Sequence, residues 1–125
     1  MVTTKHTYLR AHAISGKVLQ FALKTDAADL IERAQASKAG RTATTLVKDG
    51  SLRITLVALR EGVSLREHQV SGAVSIQVLR GRITLKAEGS QLDLRPGQLA
   101  ALDADVRHAA TALTDCAILI TMSMD

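Results

Sequence analysis

The sequence has few aromatic residues, one cysteine and no long apolar run. Tyr8 and Phe21 are its only aromatic residues and tryptophan is absent, so the core must be built from aliphatic side chains. A single cysteine, Cys116, excludes an internal disulfide and is compatible with a reducing cytoplasm. No segment approaches the roughly 18 apolar residues of a membrane span, and residues 1–17 lack the apolar centre of a signal peptide. We therefore predict a cytoplasmic protein with no membrane contact.

The charge pattern argues against nucleic acid as a partner. The net charge is +4, but the 16 basic residues are scattered and interleaved with 12 acidic ones. Aromatic platforms for base stacking are almost absent. The sequence also contains neither the GxxxxGK[ST] nor the GxGxxG phosphate-binding pattern. A solvated, mildly basic surface is the prediction.

The N-terminal third of the chain is organised differently from the rest. Residues 1–16 show no pattern and are predicted to form an arm, and residues 17–23 a short strand. A helix is predicted over residues 26–38, because apolar residues recur there at helical spacing. Thr25 or Asp26 is suited to cap its start and Gly40 to end it. Residues 1–45 are thus predicted to form an arm, strand and helix that pack on a barrel of residues 46–125.

After Gly40 the pattern alternates with a period of two. Short alternating runs are separated by turn dipeptides such as Asp49-Gly50, Ser71-Gly72 and Pro96-Gly97. Strands of this length at 8–12-residue spacing are typical of antiparallel sandwiches and barrels. The nine predicted runs are 41–48, 51–60, 63–69, 74–80, 82–87, 90–95, 98–103, 106–113 and 116–124. The fold class is predicted to be mainly β, with one short helix.

Two segments of the chain share a spacing of glycines and histidines. In residues 62–81 the order is Gly62, His68, Val70, Val74 and Gly81. In residues 97–112 the corresponding positions are Gly97, Asp103, Asp105, His108 and Ala112. Over residues 46–124 this resembles the two motifs of the cupin superfamily. The first of these motifs has Gly, His-x-His, Glu and Gly, and the second has Gly, Pro-x-Gly, His and Asn.

The resemblance implies a small double-sheet β-barrel, a jelly roll that is commonly dimeric and has a central pocket. Two of the four usual metal ligands of that family are absent, since Val70 and Val74 stand in their places. A catalytic Zn, Mn or Fe site normally has at least three protein ligands, and two imidazoles alone bind weakly. No cofactor is therefore favoured. If a divalent metal (Zn, Mn, Fe or Ni) is present, His68 and His108 are its predicted ligands.

The predicted ligand pocket combines an aliphatic wall with a few polar groups. Its members are Arg66, His68, Val70, Val74, Ile76, Val78, His108 and Ala112. Three interpretations of the two histidines stay open. They are metal ligands completed by His6, His12 or water, polar groups that face a small ligand, or structural residues bonded to backbone.

Other polar residues also have two interpretations each. Arg66 shares the strand face of His68, so it either binds a carboxylate in the pocket or faces solvent near the barrel mouth. Asp103 and Asp105 resemble a carboxylate pair, but the turn interpretation is favoured because Asp commonly bonds its own backbone there. Cys116 begins an apolar strand and is predicted to be a core residue.

Three functions remain in competition. The first is a non-catalytic small-molecule-binding or sensor module, which is likewise expected to be a homodimer. The second is a metal-dependent cupin enzyme of the oxygenase or isomerase type that uses His68 and His108. The third is a structural or dimerisation module.

Overall fold

The computed structural model describes residues 18–66 and 72–124. Within these ranges the chain forms one helix, α1 (Leu23–Ala36), and nine strands. Each strand lies within or next to one of the alternating runs of the sequence. The strands are β1 (Arg41–Asp49), β2 (Leu52–Leu59), β3 (Ser64–Arg66), β4 (Val74–Arg80), β5 (Ile83–Ala87), β6 (Ser90–Leu94), β7 (Leu99–Leu102), β8 (His108–Ala112) and β9 (Cys116–Ser123).

The strands form two antiparallel sheets that pack face to face. The five-stranded sheet has the order β1-β2-β9-β4-β7 and the four-stranded sheet the order β3-β8-β5-β6. Alternate residues of both sheets point into one aliphatic core between them, which includes Ile76, Ile83, Leu85 and Ile118. The mainly β, two-sheet architecture confirms the fold class predicted from the alternation.

The helix begins earlier than the sequence predicts. It spans Leu23–Ala36 instead of 26–38, and Ala22 occupies its N-cap position with no side-chain cap. The cap prediction for Thr25 or Asp26 is therefore wrong, although Asp26 lies in the first turn, where its charge complements the helix dipole. Gly40, with φ +72°, marks the passage into β1, and its N–H donates to Ser37 O at 3.1 Å.

The predicted strand at 17–23 is also wrong where the structure describes it. Residues 18–22 form no strand, and Leu23 belongs to the helix. Leu19, Phe21 and Leu23 are instead half-buried against a second apolar cluster on the outer face of the five-stranded sheet. Alternating apolar residues can be buried by such packing without a hydrogen-bonded partner strand, and this explains the misleading pattern.

The second cluster joins the helix to the five-stranded sheet. Ala27, Leu30 and Ala34 are buried on the helix face that meets Leu46 and Leu56. A β-bulge in β1 contributes to this cluster, because the pairing passes from Thr45 opposite Thr55 directly to Val47 opposite Ile54. Leu46 and Val47 are consequently both buried on the helix side.

The division of the chain at residue 45 falls inside β1, which extends the sheet across that position. The chain therefore has no linker at residue 45. The division into residues 1–45 and 46–125 stays a prediction. No helix in the described ranges is both long and apolar enough to cross a membrane.

A close backbone approach and a pair of hydrogen bonds hold the loops at one end of the barrel. Gly81 has φ +79°, and a Cβ at this position would lie 2.2 Å from the carbonyl oxygen of Asp115, so a side chain does not fit. Asp115 accepts hydrogen bonds from Gln35 Nε2 at 2.7 Å and from the Glu61 N–H at 2.8 Å. These bonds, together with the charge of Arg60, hold the pKa of the Asp115 carboxyl below its usual value.

Candidate functional site

Four of the predicted pocket residues lie in the packed centre of the barrel. Val74, Ile76 and Val78 project from β4, and Ala112 from β8, and none is more than 4% exposed. Their side chains contact the aliphatic core between the sheets. The centre of the barrel is therefore occupied by side chains, and contact of these four residues with a ligand stays a prediction.

Arg66 faces solvent, which is one of its two sequence-based interpretations. In strand β3, Leu65 packs against the core, so Ser64 and Arg66 point away from it and are exposed. The solvent-facing interpretation of Arg66 therefore agrees with the structure, and the one that places it inside the barrel does not, because the apolar residue takes the inward position. His68 and Val70 lie outside the described residues.

Open space remains on one side of the interior, where edge strands β1 and β3 of the two sheets approach each other. This interior cleft has a volume of about 320 Å³. Its wall is mostly apolar and comes from β1, β2, β9 and Leu65 of β3. The wall residues are Arg41, Thr42, Ala43, Thr55, Val57, Leu65, Ile120 and Met122.

Arg41 is the charged group of the interior cleft. It begins β1 opposite Leu59 and is exposed. Within the described ranges the ion pairs join Arg82 and Arg95 to Asp93, so the Arg41 guanidinium is left unpaired there. A guanidinium at the edge of an apolar wall suits a molecule with an apolar body and a carboxylate, since its paired N–H groups match both carboxylate oxygens.

His108 is a buried imidazole at the start of β8. It is 6% exposed, pairs with Ala87 of β5, and places Nδ1 3.1 Å from the carbonyl oxygen of Val106. With the proton on Nδ1, the ring donates to Val106 and keeps a free electron pair on Nε2. Nε2 has no hydrogen-bond partner among the residues that the structure describes. A ring fixed in this way is suited to a metal or ligand contact as well as to a structural role.

The described residues do not fit a metal centre. In residues 18–66 and 72–124 no three His, Cys, Asp or Glu side chains lie together in a group that could hold an ion. On β5, the residue opposite His108 is Ala87, whose methyl group is not a ligand. His68, His6 and His12, the other predicted ligands, lie outside the described residues.

The turn interpretation of the two aspartates agrees with the structure. Asp103 Oδ1 accepts the backbone N–H of Ala104 at 2.8 Å, and Asp105 adopts a left-handed φ of 67°. Both are features of an Asp-stabilised turn. Cys116 is fully buried in the core, where desolvation raises the pKa of its thiol to about 11. It is a core residue, as predicted.

The residues of the interior cleft were not identified from the sequence. A signal for part of it exists in the alternation of β2, where the face that carries Val57 and Leu59 continues with the polar residue Thr55. Arg41 occupies the same face through its pairing with Leu59. The approach of Leu65 from the other sheet leaves no such signal, because it depends on how the two sheets meet.

The architecture has close counterparts among solved structures. One is a conserved protein of unknown function from Streptococcus pyogenes (TM-score 0.66, 21% identity), with 71% of this chain and 78% of that one covered. A cupin superfamily protein from Desulfitobacterium hafniense has a TM-score of 0.66 at 20% identity, over 68% of this chain and 78% of that one. Comparisons with protein-family models and with curated proteins give no match.

The similar structures include an enzyme and part of a regulator. Salicylate 1,2-dioxygenase from Pseudaminobacter salicylatoxidans matches 79% of this chain with 33% of its own (TM-score 0.68, 15% identity). The cupin domain of an XRE family transcriptional regulator from Enterobacter cloacae matches 68% of this chain with 97% of its own (TM-score 0.62, 16% identity). The molecule described above is thus a small two-sheet antiparallel β-barrel. Its fold is the cupin fold, as the motif spacing predicted.

Proposed function

We propose that this chain is a non-catalytic module that binds a small organic molecule with an apolar body and one carboxylate in the interior cleft. The observation that supports the proposal is the Arg41 guanidinium, which has no ion-pair partner among the described residues and lies at the edge of a 320 Å³ apolar cleft. A space of this size is at the lower end of small-ligand pockets, and such pockets are mostly apolar with a few placed polar groups.

The chemistry of the wall favours binding over reaction. The described wall residues are one arginine, two threonines and five aliphatic or thioether side chains. None of these is an ordinary general base or an activated nucleophile. The wall can orient a carboxylate and desolvate an apolar body, which is what a ligand sensor requires.

Octanoate and 1-octanol provide a direct test, because they share an apolar chain and differ in the carboxylate. In an NMR titration of the ¹⁵N-labelled protein, octanoate should bind about tenfold more tightly than 1-octanol, the equivalent of one charge-assisted hydrogen bond. R41Q should remove this difference. R33Q, at an exposed helix position outside the cleft wall, is the matched control and should leave it unchanged.

A second variant tests the position of the ligand. Ala43 lies on the cleft wall and is exposed, so A43L fills space without altering charge or the core. A43L should weaken the binding of octanoate and of 1-octanol to the same extent. Equal binding of the two compounds by the unmodified protein, or equal effects of R41Q and R33Q, would contradict the proposal.

The alternative function is a metal-dependent cupin enzyme that uses His68 and His108. The fixed His108 ring with its unpartnered Nε2 is the observation in its favour. Metal analysis of protein expressed in metal-supplemented medium separates the alternatives. About one equivalent of metal, lost in both H68A and H108A, supports the enzyme, whereas far less than one equivalent supports the binding module.

The homodimer is also part of the proposal. Light scattering coupled to size-exclusion chromatography tests it directly, with about 27 kDa expected for two 13.3 kDa chains. A dimer with no binding of either probe to the interior cleft would favour the third function, a dimerisation module.

A further inference from the structure

The outer face of the four-stranded sheet carries a row of residues that the fold brings together from four strands. Arg66 of β3 and Lys86 of β5 both pair with Ala109 of β8, one from each side, and Gln91 of β6 pairs with Lys86. Leu65, Leu85 and Ala110, next to them in sequence, point into the core. The row Arg66–Ala109–Lys86–Gln91 therefore faces away from the core.

Three cations surround Ala109 on this face. Adjacent strands lie about 4.8 Å apart, so the Cα atoms of Arg66 and Lys86 are separated by about 10 Å, with Ala109 between them. Arg107 is exposed, directly precedes β8 and lines the same cleft as Ala109. Because Ala109 has only a methyl group, the space between three long cationic side chains is left open.

A cleft occupies this position. It has a volume of about 560 Å³ and is lined by all three cations and by Ala109, Gln91 and Glu88. The buried His108 borders it as well. Glu88 is the one carboxylate among the described lining residues, so the described lining has an excess of positive charge.

The three cations are unpaired within the described ranges. The ion pairs found there join Arg82 to Asp93 at 2.9 Å and Arg95 to Asp93 at 3.9 Å. Asp93 lies on the same outer face, opposite Thr84, one row away from Lys86. On this face, two arginines therefore share the carboxylate of Asp93, whereas the three cations of the cleft form no ion pair with a described residue.

From this arrangement we infer a second binding site, the outer-face anion site, for a small anion that carries several phosphate groups. Arginine binds two phosphate oxygens at once, lysine adds a point charge, and the Gln91 amide adds a neutral donor. Cations about 10 Å apart in a 560 Å³ cleft suit a chain of phosphates better than one phosphate. The described lining has no Phe, Tyr or Trp side chain, and its one aromatic ring, the imidazole of His108, is buried, so it offers little surface for base stacking.

Sodium tripolyphosphate is the probe that tests the site. In calorimetric titrations of the full chain at low salt, R66Q, K86Q and R107Q should each weaken binding about three- to tenfold, and K86E should abolish it. R33Q changes the net charge by the same amount outside the cleft, and it should have little effect. Equal losses in R33Q and the three cleft variants would show non-specific attraction and overturn the proposal.

Ala109 supplies a test that leaves the charge unchanged. In A109L the larger side chain occupies the space between the cations, so tripolyphosphate binding should fall about tenfold or more. Undiminished binding to A109L would overturn the inference, provided that circular dichroism shows the variant to be folded. If A109L does not fold, K86Q against R33Q decides the question, because both variants change the net charge by one.

Two further ligands define the class of anion. Citrate, a small carboxylate anion, should bind more weakly than tripolyphosphate. Equal or tighter citrate binding would overturn the assignment to phosphate. A single-stranded RNA that binds more tightly per phosphate than tripolyphosphate would overturn the assignment to a small anion. Octanoate binding should be unaffected by K86E, which separates this site from the interior cleft.

Discussion

The two halves of the barrel interior differ in how completely they are packed. In the closed half, Val74, Ile76 and Val78 of β4 meet Ile83 and Leu85 of β5, and all are at most 4% exposed. In the open half, the inner faces of β1 and β2 leave the interior cleft beside Leu65, with a threonine and an arginine on its wall. The same alternating pattern therefore builds a solid core on one side and a space on the other.

The difference follows from the position of each strand in its sheet. β4 lies between β7 and β9, and β5 between β6 and β8, so both strands have neighbours on each side. β1 and β3 are edge strands, and each has a hydrogen-bonded neighbour on one side only among the described strands. A small barrel with a filled centre can thus keep a binding space where its two sheets meet at their edges.

Thiol reactivity should show the largest contrast between the halves. At pH 8, a thiol with a pKa of about 11 is ionised in about one molecule in a thousand, against about one in four for an unperturbed cysteine. Cys116 should therefore not react with a disulfide reagent while the protein is folded. T55C places a second thiol on the cleft wall and should add one fast equivalent, about 100-fold faster than Cys116. Two equal rates in T55C would contradict the distinction between the halves.

Truncation of a side chain to alanine should give the next largest contrast between the two halves. Ile76 is 1% exposed in the closed half, so I76A leaves a cavity and should lower the free energy of unfolding by about 2–5 kcal/mol. Met122 is half-buried on the cleft wall, and M122A should cost less than half as much, since its side chain is already partly exposed. Urea unfolding with equal m-values measures both changes. A cost for M122A as large as that for I76A would show that the cleft closes around Met122.

The smallest effect should come from the loops around Asp115 at one end of the barrel. D115A removes the two hydrogen bonds from Gln35 and Glu61 and should lower the free energy of unfolding by about 1 kcal/mol at pH 7. The pKa of Asp115 is lower in the folded than in the unfolded state, so its contribution is present above the unfolded pKa. This contribution to the free energy of unfolding is lost as the pH falls through the pKa of Asp115 in the folded state. Urea unfolding at pH 7 and near pH 3 should therefore give a smaller difference between D115A and the unmodified protein at the lower pH.

The strands could be predicted from the sequence because their signals are local. Alternation and turn dipeptides located all nine strands, and the glycine spacing indicated the cupin fold. The helix start was misplaced because Thr25 and Asp26 are good capping residues, while the structure begins the helix at Leu23 without a side-chain cap. Here, packing of Leu19, Phe21 and Leu23 outweighs the local capping preference.

The candidate sites could not be predicted in the same way. Either Leu65 or Arg66 can face the core in β3, and the alternation around His68 left both orientations of Arg66 open. Arg66, Lys86 and Arg107 are scattered along the chain, and only the pairing of β3, β8 and β5 gathers them around Ala109. Whether charges are clustered is thus a property of the sheet register and not of the sequence order.

The bulge in β1 shifts the alternation of side chains along this strand. Odd-numbered residues before the bulge and odd-numbered residues after it therefore lie on opposite faces of the sheet. Before it, Arg41, Ala43 and Thr45 follow the interior face of β2, and after it Val47 follows the face covered by the helix. Deletion of Leu46 would make the ladder regular and leave both segments on their present faces, because Thr45 and Val47 already lie opposite successive residues of β2. The single extra residue thus places a second apolar side chain beside Val47 on the face covered by the helix, without moving the cleft-facing residues that precede it.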